Sequence, residues 1–253
     1  MSKNFSYYLK ALKYKFLEKL GYSSLDLKEQ QEEDFWRQVL HKYIDWYNGK
    51  IGILYATESP TESQKVKLST DKDSALITWF ELHQKARYLQ DLSLDKNVFA
   101  GQTILDVGSG PFPGGLAFDD CVIYCLDPLL PKYMSAGFPL HYYDRARFIH
   151  AYSESIPLPE NYIDGVISIN AIDHVGDLLK TSQELSRVCK PNCKFAMHVH
   201  YHAPSTTEPI SLNDQLFRHT FSWVSNLQKI KESKAKFDHV VSDNESYVLW
   251  RNF

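Results

Sequence analysis

The spacing of apolar residues along this chain changes once, near residue 100. Before that point apolar positions recur at helical intervals. Residues 5–20 alternate apolar and lysine positions and stop at Gly21, which predicts a helix. Phe35, Val39, Tyr43 and Trp46 share one stripe and predict a second over Glu32–Tyr47. Leu76, Phe80, His83, Arg87 and Leu89 fall near one another over a third, Ser74–Leu92. Tyr55–Asp73, rich in Ser, Thr, Glu and Lys, reads as an exposed loop.

After residue 100 short continuous apolar runs take over: Thr103–Val107, Cys121–Leu126, Arg147–Ala151, Asp164–Asn170 and Lys194–His200. A helix over Asp177–Cys189, apolar at Leu178, Leu179, Leu185 and Val188, separates the last two. Strands that are apolar throughout and alternate with helices predict a parallel sheet covered on both faces. Right-handed crossovers make such a sheet doubly wound. Asn226–Lys234 and Glu245–Asn252 flank Ser242-Asp243-Asn244, which has turn chemistry, and predict a closing antiparallel pair. The expected organisation is a helical cap or lid over 1–98 and an α/β domain over 99–253.

Composition narrows the function classes. The chain has 253 residues and a net charge of −3. Residues 1–100 carry 15 basic and 14 acidic side chains, and the remainder 13 and 17. Neither part offers a basic field for a nucleic-acid backbone. No apolar run reaches the ~18 residues of a membrane span. The N-terminal MSKNFSYYLKALKYKF has no signal-peptide core and reads as a solvated helix face rather than a membrane-surface segment. Cys121, Cys125, Cys189 and Cys193 lack zinc-site spacing, so reduced thiols in the cytoplasm are expected. Aromatic residues are the one excess, at 14%.

The candidate chemistry begins at ILDVGSG. Gly108 and Gly110 directly follow a strand, where a missing Cβ permits positive φ and close approach of a ligand. Asp106 sits in the strand end, and Asp127 ends the second strand 19 residues after Gly108. A nucleotide-binding sheet places a carboxylate there against ribose hydroxyls. A dinucleotide site uses the same parts, so an NAD-linked oxidoreductase stays open on these features alone. Pro111 and Pro113, however, remove donors that a pyrophosphate would use.

ILDVGSGP, a strand ending in Asp127, SESIPLPENYIDGVISINAIDHV and LSRVCKPNCKFAMHV together resemble the class I S-adenosylmethionine-dependent methyltransferases, in their small-molecule, type 11-like branch. The resemblance covers roughly residues 100–200. It implies a Rossmann-like, doubly wound, seven-stranded and mostly parallel sheet, with S-adenosyl-L-methionine as cofactor. It places Gly108, Ser109 and Gly110 beside the methionine and ribose, Asp106 at the amino group, Asp127 on the ribose hydroxyls and Pro128 beside the adenine. Ser153 and Glu154 would lie near the adenine ring, and Asn170 would reach the methionine amine by its carbonyl. The chain departs from the family at Tyr152, where Asp is frequent, at Cys193, where glycine is usual, and in the short space for a helix between Pro113 and Asp120.

Acceptors in such sheets bind past the carboxyl ends of the strands. That singles out Asp173 and His174 after the fourth strand, and His198, His200 and His202 at the fifth. His174 and His200 are the candidate bases, since imidazole titrates near neutrality. Asp173 is grouped with them, its alternative role being a helix cap. The three alternating imidazoles point to one side and would suit a metal, but no clear carboxylate partner follows except Glu208, so no metal is expected. The rings of the first hundred residues, Trp36, Tyr43, Trp46, Tyr55 and Trp79 among them, suggest an aromatic wall facing the acceptor.

The expected function is methyl transfer to a small-molecule acceptor, oxygen preferred over nitrogen, by direct displacement. The alternatives are a nucleic-acid methyltransferase, against which the charge and the absence of N/D-P-P-[YF] after the fourth strand count, and a non-catalytic cofactor-binding module.

Overall fold

The computed structural model describes residues 24–65, 71–237 and 240–253. The helix expected over 5–20 lies outside them. The first described helix, α1 (Ser24–Tyr47), begins eight residues before the expected Glu32, because Leu27 is already buried and the intervening Glu, Gln and Lys are good helix formers. A two-stranded ribbon follows, β1 (Ile53–Leu54) with β2 (Thr57–Glu58), inside the segment expected to be loop. Next, α2 (Asp71–Trp79) passes through a π-helical turn at Phe80–Gln84 into α3 (Lys85–Leu92), and Ser93 in left-handed conformation stops it.

Seven strands then form one sheet in the order β5-β4-β3-β6-β7-β9-β8. The strands are β3 (Thr103–Val107), β4 (Val122–Leu126), β5 (Ala146–Ile149), β6 (Ile163–Ile169), β7 (Cys189–Tyr201), β8 (Gln228–Phe237) and β9 (Val240–Arg251). The pairs from β5 through β7 are parallel, and β9 joins β7 and β8 antiparallel. This is the doubly wound, mostly parallel architecture that the apolar runs predicted. The chain reverses its winding at β3 and β6, and that is where such sheets open a crevice.

One apolar core lies on each face. Helices α1–α3 and α4 (Leu130–Ala136) cover one face, where Tyr43, Trp46, Trp79, Phe80, Phe112 and Leu130 pack together. On the other, α5 (Leu178–Val188) and α6 (Asp214–Thr220) bury Leu185, Phe195, Phe217 and Trp250. The cramped stretch after the glycine turn holds only a 3₁₀ turn, Gly114–Ala117. Two stretches of turn-like sequence lie within strands. Lys190-Pro191-Asn192 is an irregularity within β7, where pairing steps from Ile163↔Cys189 to Gly165↔Lys194 and Asn192 takes φ 65°. Ser242-Asp243-Asn244 lies inside β9, because the β8–β9 ladder runs to Phe237↔Val240 and a register shift between Lys234 and Lys236 absorbs the irregularity. The four cysteines are free.

Candidate cofactor and acceptor site

A cavity of about 560 Å³ opens at the carboxyl ends of β3, β4 and β6. Its floor is Val107, Gly108, Gly110, Leu126, Asp127 and Asn170. Gly108 and Gly110 take φ of 69° and 64°, conformations that a side chain strains. A Cβ on Gly108 would meet Ala171 Cβ at 2.2 Å, so only glycine lets the β3 and β6 loops close on each other.

Asp127 is almost fully buried at the end of β4. Its Oδ1 accepts from the Leu129 N–H at 2.8 Å, and its Oδ2 accepts from the Gly110 N–H at 2.9 Å. The carboxylate therefore ties the β4 loop to the glycine turn. Burial raises its pKa to about 6 against the lowering effect of those two N–H groups. Asp127 lines the cavity, and its Oδ2 also accepts from the Tyr133 hydroxyl at 3.4 Å; a carboxylate has about four acceptor positions, so capacity remains for a donor from a ligand.

Ser153 and Glu154 form the next wall. Glu154 Oε1 accepts from the N–H groups of Gly176 and Asp177 at 2.7 and 3.0 Å, at the start of α5. The Asp177 side chain caps that helix on Lys180 N–H at 2.9 Å. Asn170, left-handed at φ 51°, donates its backbone N–H to His198 O at 2.8 Å. The buried Asn170 Oδ1 and Ser109 Oγ have no hydrogen-bond partner, which leaves polar atoms at this end of the sheet for a ligand to satisfy.

The remaining wall comes from α1, through Lys28, Glu29, Glu32 and Trp36. Trp36 stands edge-on to Tyr133 and Phe138, at centroid distances of 5.7 and 5.9 Å. Lys28 donates to the His174 carbonyl, and the Tyr152 hydroxyl donates to Glu29. His174 lines the cavity with Nδ1 3.2 Å from Glu32 Oε1 and Nε2 3.5 Å from Glu208 Oε1. Burial alone would depress its pKa, but the hydrogen bonds to Glu208 and Glu32 outweigh burial and hold it at about 10. His174 is thus an imidazolium at neutral pH, a hydrogen-bond donor rather than the base that its neutral pKa suggested.

Three further candidates lie away from this cavity. Asp106 points the other way, into the core. Its Oδ1 accepts from the Tyr88 hydroxyl at 2.6 Å and its Oδ2 from Gly115 N–H at 3.0 Å. Burial lifts its pKa to about 7 despite those bonds. His200 is cross-strand partner to Tyr247 and stacks on it, with ring centroids 4.6 Å apart. Asp173 is fully buried in a 3₁₀ turn, Ile172–His174, and pairs with His202 at 3.1 Å instead of capping a helix. The aromatic wall is corrected as well. Tyr43, Trp46 and Trp79 interlock in the core, and among the described residues of that set only Trp36 reaches the cavity.

The Glu29, Glu32 and Trp36 wall was missed. Its signal was present in the i, i+3, i+7 spacing, which extends the Val39 and Tyr43 stripe of α1 toward its N-terminus.

Residues 105–197, spanning this floor, match the family model of the methyltransferase domain. That segment is a methyltransferase domain of the S-adenosylmethionine-dependent kind. Over 94 residues the chain is 33% identical to an uncharacterised methyltransferase of Mycolicibacterium paratuberculosis, covering 36% of each chain. Over 106 residues it is 29% identical to the uncharacterised methyltransferase YcgJ of Bacillus subtilis, covering 40% of this chain and 42% of that one. The matches thus span well under half the length of these curated relatives. The fold resembles the crystal structure of the B. subtilis YcgJ protein, with TM-score 0.51, 15% identity, and coverage of 67% of this chain and 98% of that one. It also resembles the Haemonchus contortus phosphoethanolamine N-methyltransferase 2, solved with phosphomonomethylethanolamine and S-adenosylhomocysteine, with TM-score 0.53, 13% identity, and coverage of 72% and 57%. The left-handed glycine cradle, the Asp127 carboxylate and the unpartnered Asn170 and Ser109 oxygens fit the polar and ribose groups of S-adenosylmethionine.

Proposed function

We propose that the whole chain transfers a methyl group from S-adenosylmethionine to a small-molecule acceptor, with oxygen preferred over nitrogen, by direct displacement. The observation that carries this reading is the single cavity in which α1 roofs the glycine turn, Asp127 and Asn170. The cofactor supplies an electrophilic methyl on a sulfonium. The chain supplies position and dryness, which are the main requirements of displacement at carbon. Asp127 holds the ribose hydroxyls, and Ser153, Glu154 and Pro128 border the adenine. Asn170 and the 108–110 turn receive the methionine end, with Asp106 holding the following 114–117 turn through Gly115 N–H. His174, fixed between Glu32 and Glu208, sets a positive charge beside the acceptor end, which favours an oxygen that carries negative charge, and Lys28 and Trp36 exclude water from that end. His200 and Asp173 stand behind His174 as positioning residues. Residues 1–98 act as the lid, and the reaction is cytoplasmic. Among the described residues no helix is long and apolar enough to cross a membrane. With a net charge of −3, nucleic acid is not the substrate.

An amine acceptor is the second reading, favoured by the Glu29 and Glu32 carboxylates on the wall. Incubation with methyl-labelled cofactor and a panel of phenols, alcohols, carboxylates and amines decides between them. Label in an oxygen-linked product supports the first reading and label in a methylated amine the second. Label in no product, with the cofactor bound, leaves a binding module, and label in RNA or DNA overturns the small-molecule assignment.

A further inference from the structure

The alternating histidines of β7 do not act alone. The fold brings Asp173, from the turn after β6, and Glu208, from the segment after β7, up to His200 and His202. One donor atom from each of the four lies within 4.8 Å of every other. Asp173, His200 and His202 are buried, and Glu208 is half-buried.

Two details distinguish this group from a chance ion-pair cluster. His202 Nδ1 lies 2.6 Å from its neighbour's carbonyl, Ala203 O. A proton on Nδ1 satisfies that carbonyl and turns the Nε2 lone pair toward Asp173 Oδ2, 3.1 Å away. This is how ligating histidines are oriented, with the second nitrogen donating to a backbone carbonyl. The second detail is Asp173 Oδ1, a buried carboxylate oxygen with no hydrogen-bond partner on a fully buried residue. An unmatched anionic oxygen at that depth is costly unless a cation meets it.

The supporting loop is already shaped. Ile210 N–H donates to Asp173 O at 3.2 Å, Ser211 Oγ donates to His202 O at 2.8 Å, and Glu208 N–H donates to Ser205 Oγ at 3.0 Å. The Glu208 carboxylate is therefore presented from a loop pinned to the other ligands. Donor atoms around a divalent ion bonded at roughly 2.0–2.2 Å stand roughly 3–3.5 Å from their neighbours, so closure needs about an ångström of contraction.

We propose that Asp173, His200, His202 and Glu208 bind one divalent transition-metal ion outside the cofactor cavity, next to His174. Two imidazoles with two carboxylates suit zinc and its first-row neighbours better than magnesium or calcium. The ion would join β6, β7 and the 203–213 segment behind His174, whose Nε2 is 3.5 Å from Glu208. The assignment does not depend on methyl transfer, and its test reads metal directly.

Full-length, tag-free protein is stripped with chelator and dialysed against Zn²⁺, and metal per chain is measured by mass spectrometry. A Co²⁺-loaded sample is examined for visible d–d absorption, and melting is followed with and without Zn²⁺. One zinc per chain, visible Co²⁺ bands and a raised melting temperature are expected. Glu208→Gln, on the accessible loop, and His200→Gln should each weaken zinc affinity by at least about tenfold. His198→Gln, outside the group, should not. Stripped wild type that takes up no zinc beyond the buffer control overturns the proposal. So does equal affinity in folded wild type, Glu208→Gln and His200→Gln.

Discussion

Asp127 shows how one residue couples fold and ligand. Its oxygens accept from the Gly110 and Leu129 N–H groups, and burial brings its pKa to about 6. Ribose hydroxyls donate, so they favour the ionised carboxylate. S-adenosylhomocysteine affinity is therefore expected to rise as pH increases through about 6, and calorimetry at pH 5 and 7.5 checks it. Asp127→Asn should bind more weakly and lose that dependence. Gly108→Ala tests the cradle. Left-handed φ costs a non-glycine residue about 1–2 kcal/mol. The 2.2 Å approach of its Cβ to Ala171 adds to that, and a lowered urea midpoint should report the sum. At this scale the sequence was informative where spacing along one strand or loop defines the chemistry, as for Gly108, Gly110, Asp127 and Asn170. It was not informative for the direction of Asp106, because the Tyr88 hydroxyl that turns this carboxylate inward comes from a helix 18 residues away. The charge state of His174 was equally hidden, since Glu32 and Glu208 reach it from distant segments.

Among the elements, the five parallel strands were legible because continuous apolar runs have few other uses. Strand ends were less so. Pairing with β6 extends β7 back to Cys189, and pairing with β8 carries β9 through Ser242-Asp243-Asn244 despite their turn chemistry. Helix α1 carries the element-scale prediction. Trp36 both lines the cavity and packs edge-on against Tyr133 and Phe138. Trp36→Ala should lower the melting temperature and weaken S-adenosylhomocysteine binding together, whereas Trp46→Ala, buried behind the roof, should cost stability with a smaller effect on the affinity of the remaining folded protein.

Over the whole molecule, the helices before residue 100 share one core with a face of the sheet, and their aromatic excess is mostly spent there. The buried Asp106 gives the fold a pH signature. Its folded pKa of about 7 exceeds the ordinary carboxyl value of 3.8, so the folded state holds its proton more tightly. Between those values the unfolded state gains more from ionisation, and stability must fall as pH rises. Urea midpoints should decrease from pH 5 to pH 7.5, with a shallower decrease in Asp106→Asn. Tyr88→Phe removes a hydrogen bond to that carboxylate and should cost about 1–3 kcal/mol.

The claim that this cavity is the cofactor site is tested most directly by titrating S-adenosylhomocysteine into wild type and Asp127→Ala by calorimetry. One molecule per wild-type chain, with affinity lost by about tenfold or more in the folded variant, is the predicted result. No binding to wild type, or equal affinity in both, would contradict it.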